Sequence, residues 1–255
     1  MRQLEVVLAS IMLACMAACS SGGGEKPTVS SSSSDRISSD GRTHLGLAQS
    51  YLDANQLEKA SQRVQMAQAT DPGSADVQAM QAMIEARKGN TAKASRMFDR
   101  ALDMAPADGS ILNAHASWLC EQGEFDRADA EFNQALLDRN YRTPFQALGN
   151  AGKCAHKAGK WQRAEAHLRA ALKLSSRDAA TLYLLADTQL HQGKIMEAQA
   201  FIQRRDGLGS DAKTLELAAR IEDAAGNAHA AARYRQRLKD EFPNAVPTGE
   251  GARSP

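Results

Sequence analysis

Small apolar residues recur at a nearly constant interval through most of the chain. An alanine that follows a short polar turn returns after 34, 34, 36, 34 and 33 residues. These alanines are Ala60, Ala94, Ala128, Ala164, Ala198 and Ala231. In the first five instances a large apolar side chain lies four residues later, at Val64, Phe98, Phe132, Leu168 and Ile202. Apolar residues four positions apart share one face of a helix, so the pattern predicts an amphipathic helix through each alanine.

A second set of positions predicts a turn, and another helix, before each of these helices. The turn residues are Asn55, Gly89, Gly123, Gly159, Gly193 and Gly226. Glycine supplies the left-handed backbone with which many helices end. A small residue lies seven positions before each turn residue, at Ala48, Ala82, Ala116, Gly152, Ala186 and Ala219. Small residues allow two helices to approach closely, so each turn is expected to join a tight helical hairpin.

These hairpins resemble the tetratricopeptide repeat, a helix–turn–helix unit of about 34 residues. The resemblance implies an all-α fold in which six repeats stack into a superhelix, because one hairpin alone cannot bury its apolar face. The expected repeats are residues 41–74, 75–108, 109–142, 145–178, 179–211 and 212–245. Thr143 and Pro144 remain as an insertion between the third and fourth repeats.

The N-terminal residues predict a lipoprotein signal peptide over residues 1–18. A short apolar stretch there fits the core of a signal peptide and is too short to span a membrane. The sequence MAAC ending at Cys19 resembles a bacterial lipobox, so Cys19 is the expected lipidation site, with Cys15 as an alternative. Ser20 implies an outer-membrane destination, with the lipid in the inner leaflet and the protein facing the periplasm. An ordinary secretory signal with incidental cysteines is the competing interpretation.

The segments that flank the repeats have the composition of unfolded chain. Residues 19–40 contain three consecutive glycines and the serine run Ser30 to Ser34, which cannot bury enough apolar surface to fold. They are expected to form a disordered tether between the lipid and the repeats. Residues 246–255 are expected to form a disordered tail.

Charge and motif content favour a binding protein over an enzyme. The 31 lysines and arginines nearly balance the 30 acidic residues, whereas nucleic-acid-binding proteins usually carry a basic excess. No HExxH, zinc-type Cys/His spacing, glycine-rich phosphate loop or GxSxG motif is present. The sequence therefore predicts no catalytic residue, metal, cofactor, nucleic acid or small-molecule substrate.

The first helix of each repeat provides the expected binding surface, because in tetratricopeptide repeats it lines the concave groove. The predicted groove residues are Arg42, Leu45, Gln49, Leu52, Ala79, Met80, Met83 and Asn113. Leucine and methionine suit an adaptable apolar peptide site. The alternative for Met80 and Met83 is that both side chains pack between repeats.

Two cysteines lie one repeat apart within the predicted stack. Cys120 and Cys154 are 34 residues apart and fall late in the first helix of adjacent repeats. Because the periplasm is oxidising, we expect a disulfide between them. The usual separation of packed helices, about 8–10 Å, is large for this bond, and the alternative is two buried free thiols.

Residues 111–159 contain strings that a generic repeat does not require. These are LCEQG, the connector ALLDRNYRTPFQAL and NAGKC. They closely resemble the PilF/PilW family of type IV pilus biogenesis lipoproteins, although Met16 and the pair His115-Ala116 depart from its usual pattern. The resemblance implies a pilotin that binds the type IV pilus secretin and supports its localisation or multimerisation. The alternative is a general periplasmic adaptor that coordinates cell-wall hydrolases or outer-membrane assembly.

Overall fold

The computed structural model describes residues 37–245, which form twelve α-helices and, within that range, no β-strand. The helices are α1 (Ser39–Asp53), α2 (Leu57–Thr70), α3 (Ala75–Arg87), α4 (Thr91–Met104), α5 (Gly109–Glu121), α6 (Phe125–Ala135), α7 (Pro144–Lys157), α8 (Trp161–Leu174), α9 (Ala179–His191), α10 (Ile195–Asp206), α11 (Ala212–Ala224) and α12 (Ala228–Glu241). Consecutive helices pair as hairpins, and we call the odd-numbered helices A helices and the even-numbered ones B helices. The prediction of an all-α fold with six helix–turn–helix repeats is confirmed.

Side chains at the start of the A helices explain where most of the repeats begin. Five A helices are preceded by a residue whose side chain accepts a hydrogen bond from a backbone N–H of the first turn: Ser38, Ser74, Asp108, Asp178 and Asp211. Such caps satisfy N–H groups that have no partner inside the helix. Helix α7 lacks this bond and instead has Pro144 in its first turn, where the missing N–H has no cost.

The turn between the A and B helices requires a left-handed backbone. In five repeats the turn residue is glycine, with φ between 69° and 85°. In the first repeat Asn55 adopts φ 55°, and it is the only non-glycine with positive φ in residues 37–245. Asparagine tolerates this conformation better than most residues, which explains why it can replace glycine here.

Small residues at the contact between paired helices allow the hairpins to close. The six alanines that define the repeat, from Ala60 to Ala231, are all 0% exposed. In the fourth repeat the small A-helix residue is Gly152, and a Cβ atom there would lie 2.5 Å from Cγ of Leu168. Glycine therefore replaces the usual alanine because the fully buried Leu168 occupies that space.

The two layers of helices pack differently along the stack. The backbones of consecutive A helices lie close together from α1 to α11, whereas within residues 37–245 consecutive B helices meet only through side chains, such as Arg163 on α8 and Asp129 on α6. A stack whose layers differ in this way curves toward the closer layer. The A helices therefore form the inner, concave surface, and the B helices lie outside.

The first repeat begins earlier than the sequence predicts. The predicted tether extends to residue 40, but α1 begins at Ser39 and Ile37 is 4% exposed. Ile37 packs with residues that include Leu52 and Val64, a group that we call the first apolar cluster. Asp71 accepts hydrogen bonds from the backbone N–H and the hydroxyl of Ser38, at 2.9 Å and 2.7 Å. These contacts attach the end of the predicted tether to the repeat, so its boundary at residue 40 is wrong.

The insertion between the third and fourth repeats is divided between a connector and a helix. Pro144 is the first residue of α7, so it belongs to the fourth repeat. The connector before it carries Tyr141, which is 8% exposed and lies against Gly109.

Three predicted segments lie outside the described residues: the signal peptide, residues 19–36 of the tether with Cys19, and the tail 246–255. No helix within residues 37–245 combines the length and apolar character that a membrane crossing requires.

Candidate protein-interaction surface

The inner surface of the first two repeats has apolar side chains that are only partly covered. Leu45 on α1 and Met80 on α3 are half-buried against the first apolar cluster, which includes Val64 and Val77. Met83 contacts this cluster and also the next one, around Phe98. The two interpretations of the methionines are therefore compatible, since each side chain packs between repeats and is still partly accessible. We call Leu45, Gln49, Met80 and Met83 the N-terminal inner surface.

Two of the predicted groove residues are not available for binding. Leu52 is 1% exposed and packs in the first cluster with Ala60 and Val64 of the B helix. Ala79 is 6% exposed and packs with Ala101 and Ile111, toward the next repeat. The prediction that these side chains line the groove is wrong, because their positions on the A helix face neighbouring helices.

The predicted polar groove residues make contacts within the chain. The Arg42 guanidinium donates to the carbonyl of Ile37 at 2.7 Å. The Gln49 amide donates to Asp53 at 2.8 Å. Asn113 is half-buried and accepts a hydrogen bond from Asn150 on the next A helix at 3.1 Å.

Contacts between A helices continue along the inner surface of repeats three to six. The Lys157 ammonium donates to the carbonyl of Cys120 at 3.3 Å. His156 on α7 lies 3.0 Å from Asp187 on α9, and Arg220 on α11 lies 3.7 Å from the other oxygen of Asp187. We call this region the C-terminal inner surface; its residues are Asn113, Cys120, Asn150, Cys154, His156, Lys157, Asp187 and Arg220. Its helices are joined to one another by hydrogen bonds, by ion pairs and by one disulfide, which is described next.

A disulfide joins α5 and α7. Cys120 and Cys154 are bonded in the structure, and their Cα atoms are 5.7 Å apart. This separation falls in the usual range of about 4.4–6.8 Å. Packed helix axes lie about 8–10 Å apart, but Cα atoms on the facing sides of two helices are closer than the axes, which removes the apparent conflict.

His115 occupies a buried site on α5, the helix that also carries Cys120. It is 3% exposed, its ring stacks on Trp118 with centroids 5.5 Å apart, and its Nδ1 lies 2.7 Å from Glu131. Phe98 of the preceding repeat completes the group, with its ring centroid 5.0 Å from that of His115. The pair His115-Ala116 is therefore accommodated by an aromatic group and a carboxylate partner.

A charged group joins the fourth and fifth repeats on the other side of α9. Glu165 on α8 accepts hydrogen bonds from Lys194 at 2.7 Å and from Gln189 at 2.8 Å. Burial alone would raise the pKa of Glu165, but these hydrogen bonds and that of Arg169 outweigh it and lower the pKa to about 2. The ionised carboxylate is therefore bound strongly in the folded state.

Sequence analysis missed a cluster formed by His156, Asp187 and His191. One ligand atom from each residue lies within 4.8 Å of the others. Asp187 and His191 are four residues apart on α9, a spacing that places them on one face. This spacing was a usable signal, but the third member comes from α7, and no motif search links residues across repeats of this kind.

Comparison with known proteins identifies the repeats. Two family models described as tetratricopeptide repeat match the chain, one at residues 36–84 and 155–221 and the other at residues 113–179. Together these matches cover most of the described helices. The predicted repeat type is confirmed.

The chain is also similar to proteins of type IV pilus biogenesis. It is 22% identical to the type IV pilus assembly protein PilF of Pseudomonas aeruginosa, over 95% of this chain and 96% of that protein. The crystal structure of PilW, described as a widely conserved type IV pilus biogenesis factor, superposes with a TM-score of 0.72 at 27% identity, covering 82% of this chain and 96% of PilW. A structure of Pseudomonas aeruginosa PilF superposes with a TM-score of 0.67 at 21% identity, covering 84% of this chain and 95% of that one.

Proposed function

The chain belongs to the tetratricopeptide repeat family and is homologous to PilF, and from this premise we propose that it is a pilotin for the type IV pilus secretin. The observation that carries the proposal is the extent of the similarity, which covers 95% of this chain and 96% of PilF. A match of this extent involves nearly the whole length of both proteins. The proposed role is binding, without catalysis or a cofactor.

We place the protein at the outer membrane, held by lipid on Cys19 in the inner leaflet and facing the periplasm. The support is the lipobox-like MAAC sequence and the polar segment that follows it. Several acyl chains give a stable anchor, whereas one chain binds a membrane only marginally. Radiolabelled palmitate should enter the wild type and a Cys15→Ser variant but not a Cys19→Ser variant. Labelling of Cys19→Ser at the wild-type level would exclude Cys19 as the attachment site.

The N-terminal inner surface is the proposed contact for the secretin. It presents partly accessible leucine and methionine side chains on the concave side of the stack. Methionine adapts its shape to a partner, and an amphipathic segment could bury its apolar face against these residues. The same surface belongs to the first two repeats, which follow the tether directly in sequence.

Deletion of the gene tests the proposed function. Secretin multimers that survive heating in detergent should be lost from the deletion strain, together with twitching motility, and both should return when the wild-type gene is supplied. A Cys19→Ser gene should restore the multimers poorly, because the protein would no longer be held at the outer membrane. If the deletion strain keeps normal multimers and motility, the pilotin role is wrong and a general envelope adaptor becomes the better account.

A further inference from the structure

We propose that His156, Asp187 and His191 form a binding site for a zinc-type divalent cation, which would link the A helices of the fourth and fifth repeats. The three side chains offer two imidazole nitrogens and one carboxylate oxygen, a set that zinc binds readily. His156 and Asp187 belong to the C-terminal inner surface, and His191 lies beside Asp187 on α9. It does not depend on the pilotin role.

The distances between the donor atoms suit one ion. Nε2 of His156 lies 3.0 Å from Oδ2 of Asp187, and Nε2 of His191 lies 3.8 Å from the same oxygen. In a tetrahedral zinc site with bonds of about 2.0–2.1 Å, neighbouring ligand atoms are separated by roughly 3.3 Å. These two distances lie on either side of that value, and the ligand atoms of the two histidines lie within 4.8 Å of each other, so side-chain rotations would bring the three atoms around one ion.

The surroundings hold the donors in place while leaving an approach from solvent. The ring of Trp161 on α8 stacks on His191 with centroids 4.2 Å apart and an interplanar angle of 2°, and it contacts His156 edge-on. The side chain of Asp187 is only 13% exposed, whereas that of His191 is 41% exposed. Three protein ligands leave a fourth position for water or for a donor from a partner.

Arg220 places a positive charge beside the proposed cation site. Its guanidinium lies 3.7 Å from Oδ1 of Asp187, the oxygen that does not face the histidines. This cation disfavours a second positive charge nearby, but its side chain is 57% exposed and can turn into solvent. Arg220 therefore reduces the affinity for the ion without blocking the site.

Calorimetric titration of the full-length protein in detergent with zinc chloride at neutral pH tests the site. The wild type should bind one zinc ion at the cluster, and Asp187→Asn and His191→Gln should each weaken this binding by at least about tenfold. His229→Gln, which changes an exposed histidine on α12, should bind as the wild type does. Arg220→Gln should bind zinc more tightly, because it removes a positive charge that repels the ion.

Two further measurements separate this site from other zinc-binding groups and from misfolding. Cobalt(II) at the cluster should give visible absorption without the near-ultraviolet band of a thiolate ligand, which excludes binding by cysteine. Circular dichroism should show that the exposed-ligand variant His191→Gln folds normally. The proposal is overturned if the wild type binds no zinc at 100-fold molar excess, or if Asp187→Asn and His191→Gln bind as tightly as His229→Gln.

Discussion

The two halves of the inner surface are built from the same repeat but present different chemistry. In the N-terminal inner surface, Leu45, Met80 and Met83 are apolar and half-buried. In the C-terminal inner surface, a disulfide joins α5 to α7, and His156 and Arg220 bring α7 and α11 to Asp187 on α9. The N-terminal inner surface therefore leaves apolar side chains partly accessible, whereas the helices of the C-terminal inner surface are linked to one another.

The largest expected effect is the loss of stability when a core residue of α1 is shortened, compared with a surface residue of the same helix. Leu52→Ala should lower the free energy of unfolding by about 2–5 kcal/mol, because it opens a cavity at a fully buried position. Leu47→Ala on the same helix should cost less than about 1 kcal/mol, since Leu47 is 39% exposed. Urea denaturation followed by circular dichroism measures both. Equal losses for the two variants would contradict the assignment of Leu52 to the core.

Removal of the disulfide should weaken the C-terminal half. The double variant Cys120→Ala/Cys154→Ala should lose about 2–4 kcal/mol, because the bond closes a loop of 34 residues and restricts the unfolded chain. Dithiothreitol should lower the urea midpoint of the wild type and leave that of the double variant unchanged. Mass analysis after alkylation without reductant gives a direct check, since label on Cys120 and Cys154 would mean that the mature protein carries two free thiols.

Glu165 should make the free energy of unfolding depend on pH in the acid range. Its pKa in the folded state is about 2, below its ordinary value of 4.5, so its contribution is present above about pH 4.5 and is lost as the pH falls toward 2. Glu165→Gln should lower the free energy of unfolding by about 1–2 kcal/mol at pH 7, a modest amount because its partners Lys194 and Arg169 are partly exposed. The difference from the wild type should shrink in acid, as the wild-type carboxylate becomes protonated. Urea midpoints at pH 7 and pH 3 measure the change. A constant difference at both pH values would show that the carboxylate charge is not responsible.

The repeat architecture could be predicted because its causes are local in sequence. The buried alanines, the left-handed turn residues and the spacing of Cys120 and Cys154 all repeat with the period of one hairpin. The start of the fold could not be predicted in the same way. Ser38 lies in a serine-rich segment, and its attachment depends on Asp71, which is 33 residues away.

The binding surface was harder to predict than the fold, because the exposure of an A-helix residue depends on which neighbour lies opposite. Leu45 and Leu52 are both leucines on α1, yet one is partly accessible and the other is covered by α2. The cluster at Asp187 requires the register between α7 and α9, which is a property of the stacked repeats. Chemistry formed between repeats therefore remains invisible to a search within each repeat.

Co-purification of the secretin with variants of the inner surface tests the central claim most directly. Met83→Lys places a charge on the N-terminal inner surface, and its long side chain can keep part of the methionine packing. The matched control is Met196→Lys on α10, at a position that is 84% exposed. We expect Met83→Lys to reduce secretin recovery at least about tenfold and Met196→Lys to leave it unchanged, with both variants folded by circular dichroism. Wild-type recovery with Met83→Lys, or equal loss with both variants, would contradict the claim that the first two repeats bind the secretin.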